Sequence, residues 1–249
     1  MKAKTTWIIA AIVAVIVAVV LLVVLLPRKS AEPQHPGGND SGIEVTAEPE
    51  PEPAEEPNTI NGHKWVDMGS GIKWATTNIG ANSPEEFGEY YAWGESAPKQ
   101  VYDWEHYSHA AKNDEGYYTV SEKWLSSEGF IRDRKYDTAS VLWGEPWRMP
   151  TYDEILALLR ACTRTWTTMN DVNGYLLKSK TTGEELFFPA SGYKYDNTIK
   201  YVGTHGYVWA SNLSWDPDCG YTLYMKTSQR IEPGFTTACY GIPVRPVSD

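Results

Sequence analysis

The sequence predicts an α+β domain built from short looped β-strands and few helices, preceded by one transmembrane helix and a disordered linker. Three observations predict this fold class. An unbroken apolar run stands near the amino terminus, a Pro- and Glu-rich segment follows it, and from Thr59 onward the chain is rich in aromatic residues and turn signals. We therefore divide the chain into an anchor over residues 1–29, a linker over residues 30–58 and a globular domain over residues 59–249.

The apolar run extends from Trp7 to Leu26. Twenty helical residues that rise by about 1.5 Å each cover about 30 Å, which is the thickness of a bilayer core. A cleaved signal peptide is the alternative, but its apolar region usually has roughly 7 to 15 residues before a small-residue cleavage site. Here the run is longer, and Pro27, Arg28 and Lys29 follow it directly. We predict an uncleaved anchor, which makes the membrane a partner of this chain.

Residues 30–58 contain eight acidic residues, no Lys or Arg, and many prolines. Such a composition cannot bury enough apolar surface to fold, so it predicts an extended, self-repelling linker. A linker of this kind holds a domain away from a membrane. We therefore expect the domain to be extracytoplasmic, in the periplasm or on the cell surface, with a cytoplasmic tail as the alternative.

The globular domain is acidic and unusually aromatic. The chain has a formal net charge of -10, and residues 59–249 hold 18 Lys and Arg against 24 Asp and Glu. A domain of this sign lacks the basic surface that a nucleic-acid backbone requires, so we expect no nucleic-acid partner. All 16 Tyr, all 5 Phe and 10 of the 11 Trp lie beyond Thr59. Most of these rings must form the core, but such an excess predicts some on the surface.

Short strands dominate the predicted elements. They are rich in aromatic or β-branched residues and bounded by Gly, Pro, Asn or Asp, and they cover residues 64–68, 72–76, 90–93, 175–178, 185–188, 207–211, 221–226 and 242–245. A turn at residues 181–183 predicts a hairpin.

Two helix starts stand out. Thr151 and Glu154 form a capping-box pattern, and an apolar stripe follows at helical spacing through Ile155 and Cys162. Residues 83–86 form a second such pattern, which Gly88 ends early. Residues 101–137 are polar and weakly periodic, so we expect a long excursion with little helix there.

Seven segments, taken in chain order, share the pattern of one known family. They are Trp65 to Gly69 (WVDMG), Gly71 to Ala81 (GIKWATTNIGA), Gly88 to Glu95 (GEYYAWGE), Trp147 to Thr151 (WRMPT), Phe188 to Tyr193 (FPASGY), Tyr207 to Ser211 (YVWAS) and Gly241 to Val247 (GIPVRPV). Over residues 61–247 the chain resembles the Fibrobacter succinogenes major paralogous domain family, found on surface and secreted proteins of Bacteroidetes. The resemblance implies a C-type-lectin-like fold related to formylglycine-generating enzymes, with the two chain ends close together. It implies ligand display rather than one defined activity.

Formylglycine-generating enzymes use a reactive cysteine pair, and this chain departs from that pattern. Cys162 lies on the apolar face of the predicted helix, where a core role is expected. Cys219 and Cys239 flank a predicted strand, so a disulfide between them is allowed, but not required, in an oxidising compartment. The sequence carries no HExxH, GxSxG, P-loop or dinucleotide-binding motif. We therefore predict no catalytic residues.

Calcium-dependent lectins of the implied fold use a Glu-Pro-Asn triplet and a Trp-Asn-Asp triplet. Residues 56–58 match the first triplet but belong to the linker, and residues 215–218 (WDPD) only approach the second. Two carboxylates can bind a cation, yet calcium takes about six to eight oxygens. We expect a solvated turn there, with no metal and no cofactor, and calcium binding is the alternative.

The carboxyl-terminal third combines aromatic rings with hydrogen-bonding side chains, which suits the recognition of sugar rings or of a protein surface. The candidate ligand-binding residues are Asn212, Trp215, Asp216, Asp218, Tyr221, Gln229, Arg230 and Tyr240. Trp215 is expected to be the main ligand-contacting residue, whereas Trp209, inside an apolar run, is expected in the core. We interpret the protein as a membrane-tethered extracytoplasmic binding domain for a glycan or a surface protein. A structural or assembly module of the cell envelope is the second interpretation, and an enzyme of unknown class is the third.

Overall fold

The computed structural model describes Asn58 to Asp249, apart from residues 132–133 and 228–229. Strands and bridges make up 42% of the described residues and helices 12%. The predicted α+β class is therefore wrong: the described chain is mostly β, because the helix-forming patterns are confined to one short region. The C-type-lectin-like fold that the family resemblance implied is not supported.

The predicted anchor, from Trp7 to Leu26, and residues 30–57 of the predicted linker lie outside the described residues. Within the described part of the chain, no helix is both long enough and apolar enough to span a membrane.

Fourteen strands and two α-helices are present in the described residues. The strands are β1 (Thr59–Ile60), β2 (His63–Asp67), β3 (Lys73–Ala75), β4 (Ala110–Lys112), β5 (Tyr118–Val120), β6 (Cys162–Met169), β7 (Val172–Ser179), β8 (Glu185–Pro189), β9 (Tyr193–Tyr195), β10 (Thr198–Lys200), β11 (His205–Leu213), β12 (Cys219–Lys226), β13 (Arg230–Thr237) and β14 (Val247–Ser248). The helices are α1 (Thr138–Trp143) and α2 (Tyr152–Ala161), with short 3-10 helices at Glu122–Trp124 and Arg134–Tyr136.

These strands form small antiparallel sheets. Their orders are β1-β2-β3-β14, β6-β7-β8 and β11-β12-β13, with the two-stranded pairs β4-β5 and β9-β10. In the first sheet Trp74 of β3 pairs with Val66 of β2 on one side and with Val247 of β14 on the other. The beginning and the end of the described chain therefore share one sheet.

Helix α2 forms where the capping box predicted it. The Thr151 hydroxyl accepts a hydrogen bond from Glu154 N at 3.2 Å, and the Glu154 carboxylate accepts one from Thr151 N at 2.7 Å. The two bonds satisfy N–H groups that a helix start leaves without partners. Ile155 and Leu158 on its buried face are fully enclosed.

The second capping-box pattern does not produce a helix; residues 83–86 form turns and bends instead. The Glu86 carboxylate accepts a hydrogen bond from Asn82 N at 2.8 Å rather than from Ser83 N. Gly88 follows at a φ of +72° and packs so tightly against Ile79 that a Cβ there would lie 2.4 Å from the Ile79 oxygen. This close approach requires glycine and is incompatible with a continuing helix.

Of the other local predictions, the hairpin forms but two of the strands do not. The hairpin is confirmed, since β7 and β8 flank residues 181–183. The predicted strands at residues 90–93 and 242–245 reduce to one isolated bridge between Tyr91 and Ile242. The polar excursion contains the β4-β5 hairpin and both 3-10 helices.

The central sheet β11-β12-β13 lies between two apolar clusters. Val208, Leu223 and Met225 pack with helix α2 on one side, whereas Trp209 packs on the other side with Trp93. Alternation of side chains along β11 produces this division. Trp209 is 0% exposed and its indole N–H donates to Tyr91 O at 2.8 Å, so its predicted core position is confirmed.

Candidate functional site

A cleft of about 540 Å³ runs along β13, the edge strand of the central sheet. Five consecutive residues of β13, from Glu232 to Thr236, line it. Neighbouring strand residues point to opposite faces, so a cleft that contacts all of them must follow the free edge of the strand. Pro233 suits this position, because an edge strand tolerates a residue that has no N–H to donate.

The most exposed ring of the cleft is Trp215, at 73% relative exposure. Its edge packs against the Phe235 ring, with centroids 5.2 Å apart and planes at 73°. Trp215 lies in the turn between β11 and β12, which is closed by a hydrogen bond of 2.9 Å from Ser214 N to Cys219 O. A hydrogen-bonded turn therefore holds a large apolar ring in solvent, although hiding that ring from water would be favourable.

Two further tyrosines continue this aromatic surface toward helix α2. Tyr221 of β12 is the cross-strand partner of Phe235. Its ring contacts Tyr152, the first residue of α2, at a centroid distance of 4.5 Å. Cross-strand aromatic pairs stabilise a sheet, so strand register and helix packing together fix the positions of these rings.

The other face of the edge strand presents a second aromatic pair with charged neighbours. The rings of Tyr207 and Tyr224, on paired strands, lie 5.2 Å apart. The Arg230 guanidinium lies over the Tyr224 ring at 5.2 Å and pairs with the Glu232 carboxylate at 3.1 Å. Aromatic platforms are thus bordered by groups that donate and accept hydrogen bonds.

A row of tyrosines extends from Tyr207 beyond the cleft. Tyr193 contacts Tyr207 at 5.5 Å and stacks on Tyr240 at 4.9 Å, with ring planes only 2° apart. The exposed rings of Tyr195 and Tyr201 join this row through Tyr240 and Tyr193. We name these five residues (Tyr193, Tyr195, Tyr201, Tyr207 and Tyr240) the tyrosine row. Burial raises the pKa of Tyr207, so its phenol stays neutral.

Three of the predicted site residues, Trp215, Tyr221 and Arg230, line the cleft. Tyr240 belongs to the tyrosine row instead, and Gln229 lies outside the described residues. Asn212 has a structural role: its side-chain oxygen accepts a hydrogen bond from Tyr152 N at 2.8 Å, at the start of α2.

Asp216 and Asp218 lie in the turn that carries Trp215. With Cys219 they form the cluster of potential metal ligands found in the described residues, with ligand atoms within 4.8 Å of one another. The hydrogen bond shared with Asp218 raises the pKa of Asp216. The Cys219 thiol donates to Asp218 Oδ1 at 2.9 Å, and burial raises the pKa of this thiol. Two carboxylates and a protonated thiol do not fit calcium, which takes about six to eight oxygens.

All three cysteines are buried and free. The disulfide that the sequence allowed between Cys219 and Cys239 is therefore not formed in this structure. Burial raises the pKa of Cys239 to about 12, so its thiol is protonated and unreactive at neutral pH. Cys162 lies in the core cluster beneath α2.

Five further aromatic or charged residues that line the cleft were not among the predicted site residues: Tyr152, Tyr207, Tyr224, Glu232 and Phe235. They come from a helix start and from the three strands of the central sheet. The alternation of rings and polar side chains from Tyr207 to Tyr240 was a usable signal, and so was the tyrosine density at residues 193–201. Neither signal shows which rings meet.

The structure is that of a mostly β domain with an aromatic cleft along a sheet edge. No family model, no curated protein and no solved structure matches this chain. The resemblance to the Fibrobacter succinogenes major paralogous domain family therefore rests on the sequence motifs alone and stays a prediction.

Proposed function

We propose that this protein is an extracytoplasmic binding domain that recognises a glycan through the cleft along β13. The observation that carries this proposal is Trp215, a tryptophan 73% exposed at a cleft lined by five further aromatic rings. Exposed aromatic residues of this kind commonly mark interaction sites.

The chemistry of the cleft supports a sugar ligand. A sugar ring has apolar C–H faces and a rim of hydroxyl groups, so it can pack against an aromatic face and form hydrogen bonds at its edge. The cleft offers Trp215 and Tyr221 as apolar platforms, and Arg230 and Glu232 as donor and acceptor beside them. An extracytoplasmic location, which the sequence predicts, would bring such a cleft to the glycans of the envelope and its surroundings.

The charged groups of the cleft favour binding over hydrolysis. Glycoside hydrolysis generally requires two carboxyl groups on either side of the scissile bond. Among the described residues that line the cleft, Glu232 is the single carboxylate, and it is paired with Arg230. We therefore propose recognition without turnover.

A glycan array probed with the purified full chain tests this proposal. We expect binding to one class of glycan, and Trp215→Ala should abolish most of it. The matched control is Tyr117→Ala, which removes a ring 68% exposed that does not line the cleft. Absence of glycan binding by the wild-type chain, or unchanged binding by Trp215→Ala, would overturn the proposal. The structural or assembly interpretation would then be preferred.

A further inference from the structure

Three basic side chains lie in register across the central sheet. His205 of β11 pairs with Lys226 of β12, and Lys226 pairs with Arg230 of β13. Directly paired residues of antiparallel strands point to the same face. We name these three residues the basic row.

The basic row lies beside the aromatic pair of the cleft. Tyr207, Tyr224 and Glu232 occupy the next same-face positions, two residues along each strand. The Arg230 guanidinium lies 5.2 Å from the centre of the Tyr224 ring, and the His205 ring lies 6.1 Å from it. A ligand in contact with these two tyrosines is therefore within reach of the basic row.

The pairing of Lys226 with Arg230 is unfavourable for folding, because like charges directly opposite each other on a sheet repel. Glu232 offsets the charge of Arg230 at 3.1 Å, but no carboxylate among the described residues pairs with Lys226. The domain holds 24 acidic residues against 18 basic ones, so carboxylates are abundant elsewhere. An anionic ligand requires neighbouring cations, and Lys226 and Arg230 provide two beside the cleft.

Lys226 and Arg230 are the two cations of the basic row, whereas His205 is neutral. Burial, and next the positive charge of Lys226, lower the pKa of His205, so the imidazole is neutral. Neutral His205 still offers ring nitrogens for hydrogen bonds, and its ring contacts Tyr201 at 4.7 Å. The basic row therefore links the cleft to the tyrosine row.

We propose that the ligand of this cleft is an anionic glycan, a sugar chain carrying carboxylate or sulfate groups, which Lys226 and Arg230 bind while Tyr207 and Tyr224 contact the sugar rings. This inference rests on the proposed glycan-binding function and specifies its ligand class. Charge-assisted hydrogen bonds to a carboxylate or sulfate are stronger than those between neutral groups, so the charged groups should determine which glycan is preferred.

The test compares three ligands on the purified full chain: a uronic acid oligosaccharide, the same oligosaccharide with its carboxyl groups reduced to alcohols, and a sulfated oligosaccharide of equal length. We expect at least one acidic ligand to bind about tenfold or more tightly than the reduced one, as expected for one charge-assisted contact. The relative affinities of the two acidic ligands identify the anionic group. The preference should weaken with added salt.

Two variants locate the preference. Lys226→Gln and Arg230→Gln should each lower affinity for the acidic ligand several-fold. Lys226→Gln should leave affinity for the reduced ligand nearly unchanged, whereas Arg230→Gln should also lower it, but by a smaller factor, because Arg230 lines the cleft and can donate to sugar hydroxyl groups. The matched control is Lys112→Gln, because Lys112 also holds its ammonium over a tyrosine, at 4.7 Å from the Tyr118 ring, but lies on the β4-β5 hairpin. Lys226→Gln should also stabilise the fold slightly by removing a like-charge contact, which urea unfolding measures.

The outcomes separate the two proposals. If the acidic and reduced ligands bind equally and Trp215→Ala weakens both, the glycan-binding function stands and the anionic ligand class is wrong. If the acidic preference survives both Gln substitutions, the basic row does not recognise the anion. If the chain binds acidic peptides but no glycan, both proposals fail.

Discussion

Arg245 Nε donates a hydrogen bond of 2.8 Å to Asn78 Oδ1 in the interior of the domain. The guanidinium is fully buried and also donates to the backbone oxygens of Ala75, Thr76 and Phe187. Asn78 in turn donates to Phe87 O at 2.9 Å. Two of the segments that carry the family resemblance therefore meet at one buried contact. Burial lowers the pKa of Arg245 to about 9, so it remains charged at neutral pH.

Arg245→Met should destabilise the domain by about 3 kcal/mol or more, because it leaves the buried oxygens of residues 75, 76, 78 and 187 without their donor. Urea unfolding measures the change. Arg160→Met, at an exposed position on α2, is the control and should change stability by less than about 0.5 kcal/mol. A loss below about 1 kcal/mol for Arg245→Met would show that burial of the charge costs as much as its hydrogen bonds contribute.

Trp209→Ala should mainly reduce stability, whereas Trp215→Ala should mainly reduce glycan affinity. Trp209 is fully buried, so its truncation should cost about 3 to 5 kcal/mol. Trp215 is 73% exposed and should cost less than about 1 kcal/mol, while its loss removes most glycan affinity. Unfolding and binding measured on both variants test this. If Trp215→Ala proves the more destabilising, Trp215 supports the fold and the cleft has been misassigned.

Local signals predicted helix α2 and the β7-β8 hairpin because their determinants lie within a few residues. The two Thr151–Glu154 hydrogen bonds that start α2 span only three residues. The fold class depended instead on contacts distant in sequence, such as the pairing of Trp74 with Val247. A capping-box pattern alone could not form the second helix, because Gly88 had to pack against Ile79.

The same difference between local signals and contacts distant in sequence decides which residues of the cleft could be predicted. Trp215 could be predicted because it stands between turn residues, outside any strand pattern. Phe235 and Tyr152 could not, because they reach the cleft through strand register opposite Tyr221 and through helix packing on the sheet. Lys226 could not be predicted as a site residue, because its place in the basic row depends on its pairing with His205 and Arg230 across the sheet.

Stability should fall as the pH is lowered through 6.5, and His109 should contribute to this loss. Burial lowers the pKa of His109 from 6.5, although its hydrogen bond to Gly94 O and the nearby Glu95 oppose that shift. Between 6.5 and the lower folded value the unfolded chain binds more protons, so acidification favours unfolding. His109→Gln should therefore reduce the dependence of unfolding free energy on pH below 6.5. An unchanged slope would assign the effect to other groups, including His63, whose pKa burial also lowers.

The tyrosine row should make affinity increase with the length of the sugar chain. Tyr201 and Tyr195 are 56% and 45% exposed, and both join the row that leads from the cleft through Tyr193 and Tyr240. A short oligosaccharide that fills only the cleft does not reach them, whereas a longer chain adds contacts with successive rings. Tyr201→Ala should therefore lower affinity for long oligosaccharides several-fold and leave affinity for short ones unchanged, with little loss of stability because the ring is largely in solvent.

Titration calorimetry across a length series of oligosaccharides, with Tyr117→Ala as the control, measures this dependence. Equal affinity of the wild-type chain for short and long oligosaccharides would confine the binding surface to the cleft along β13.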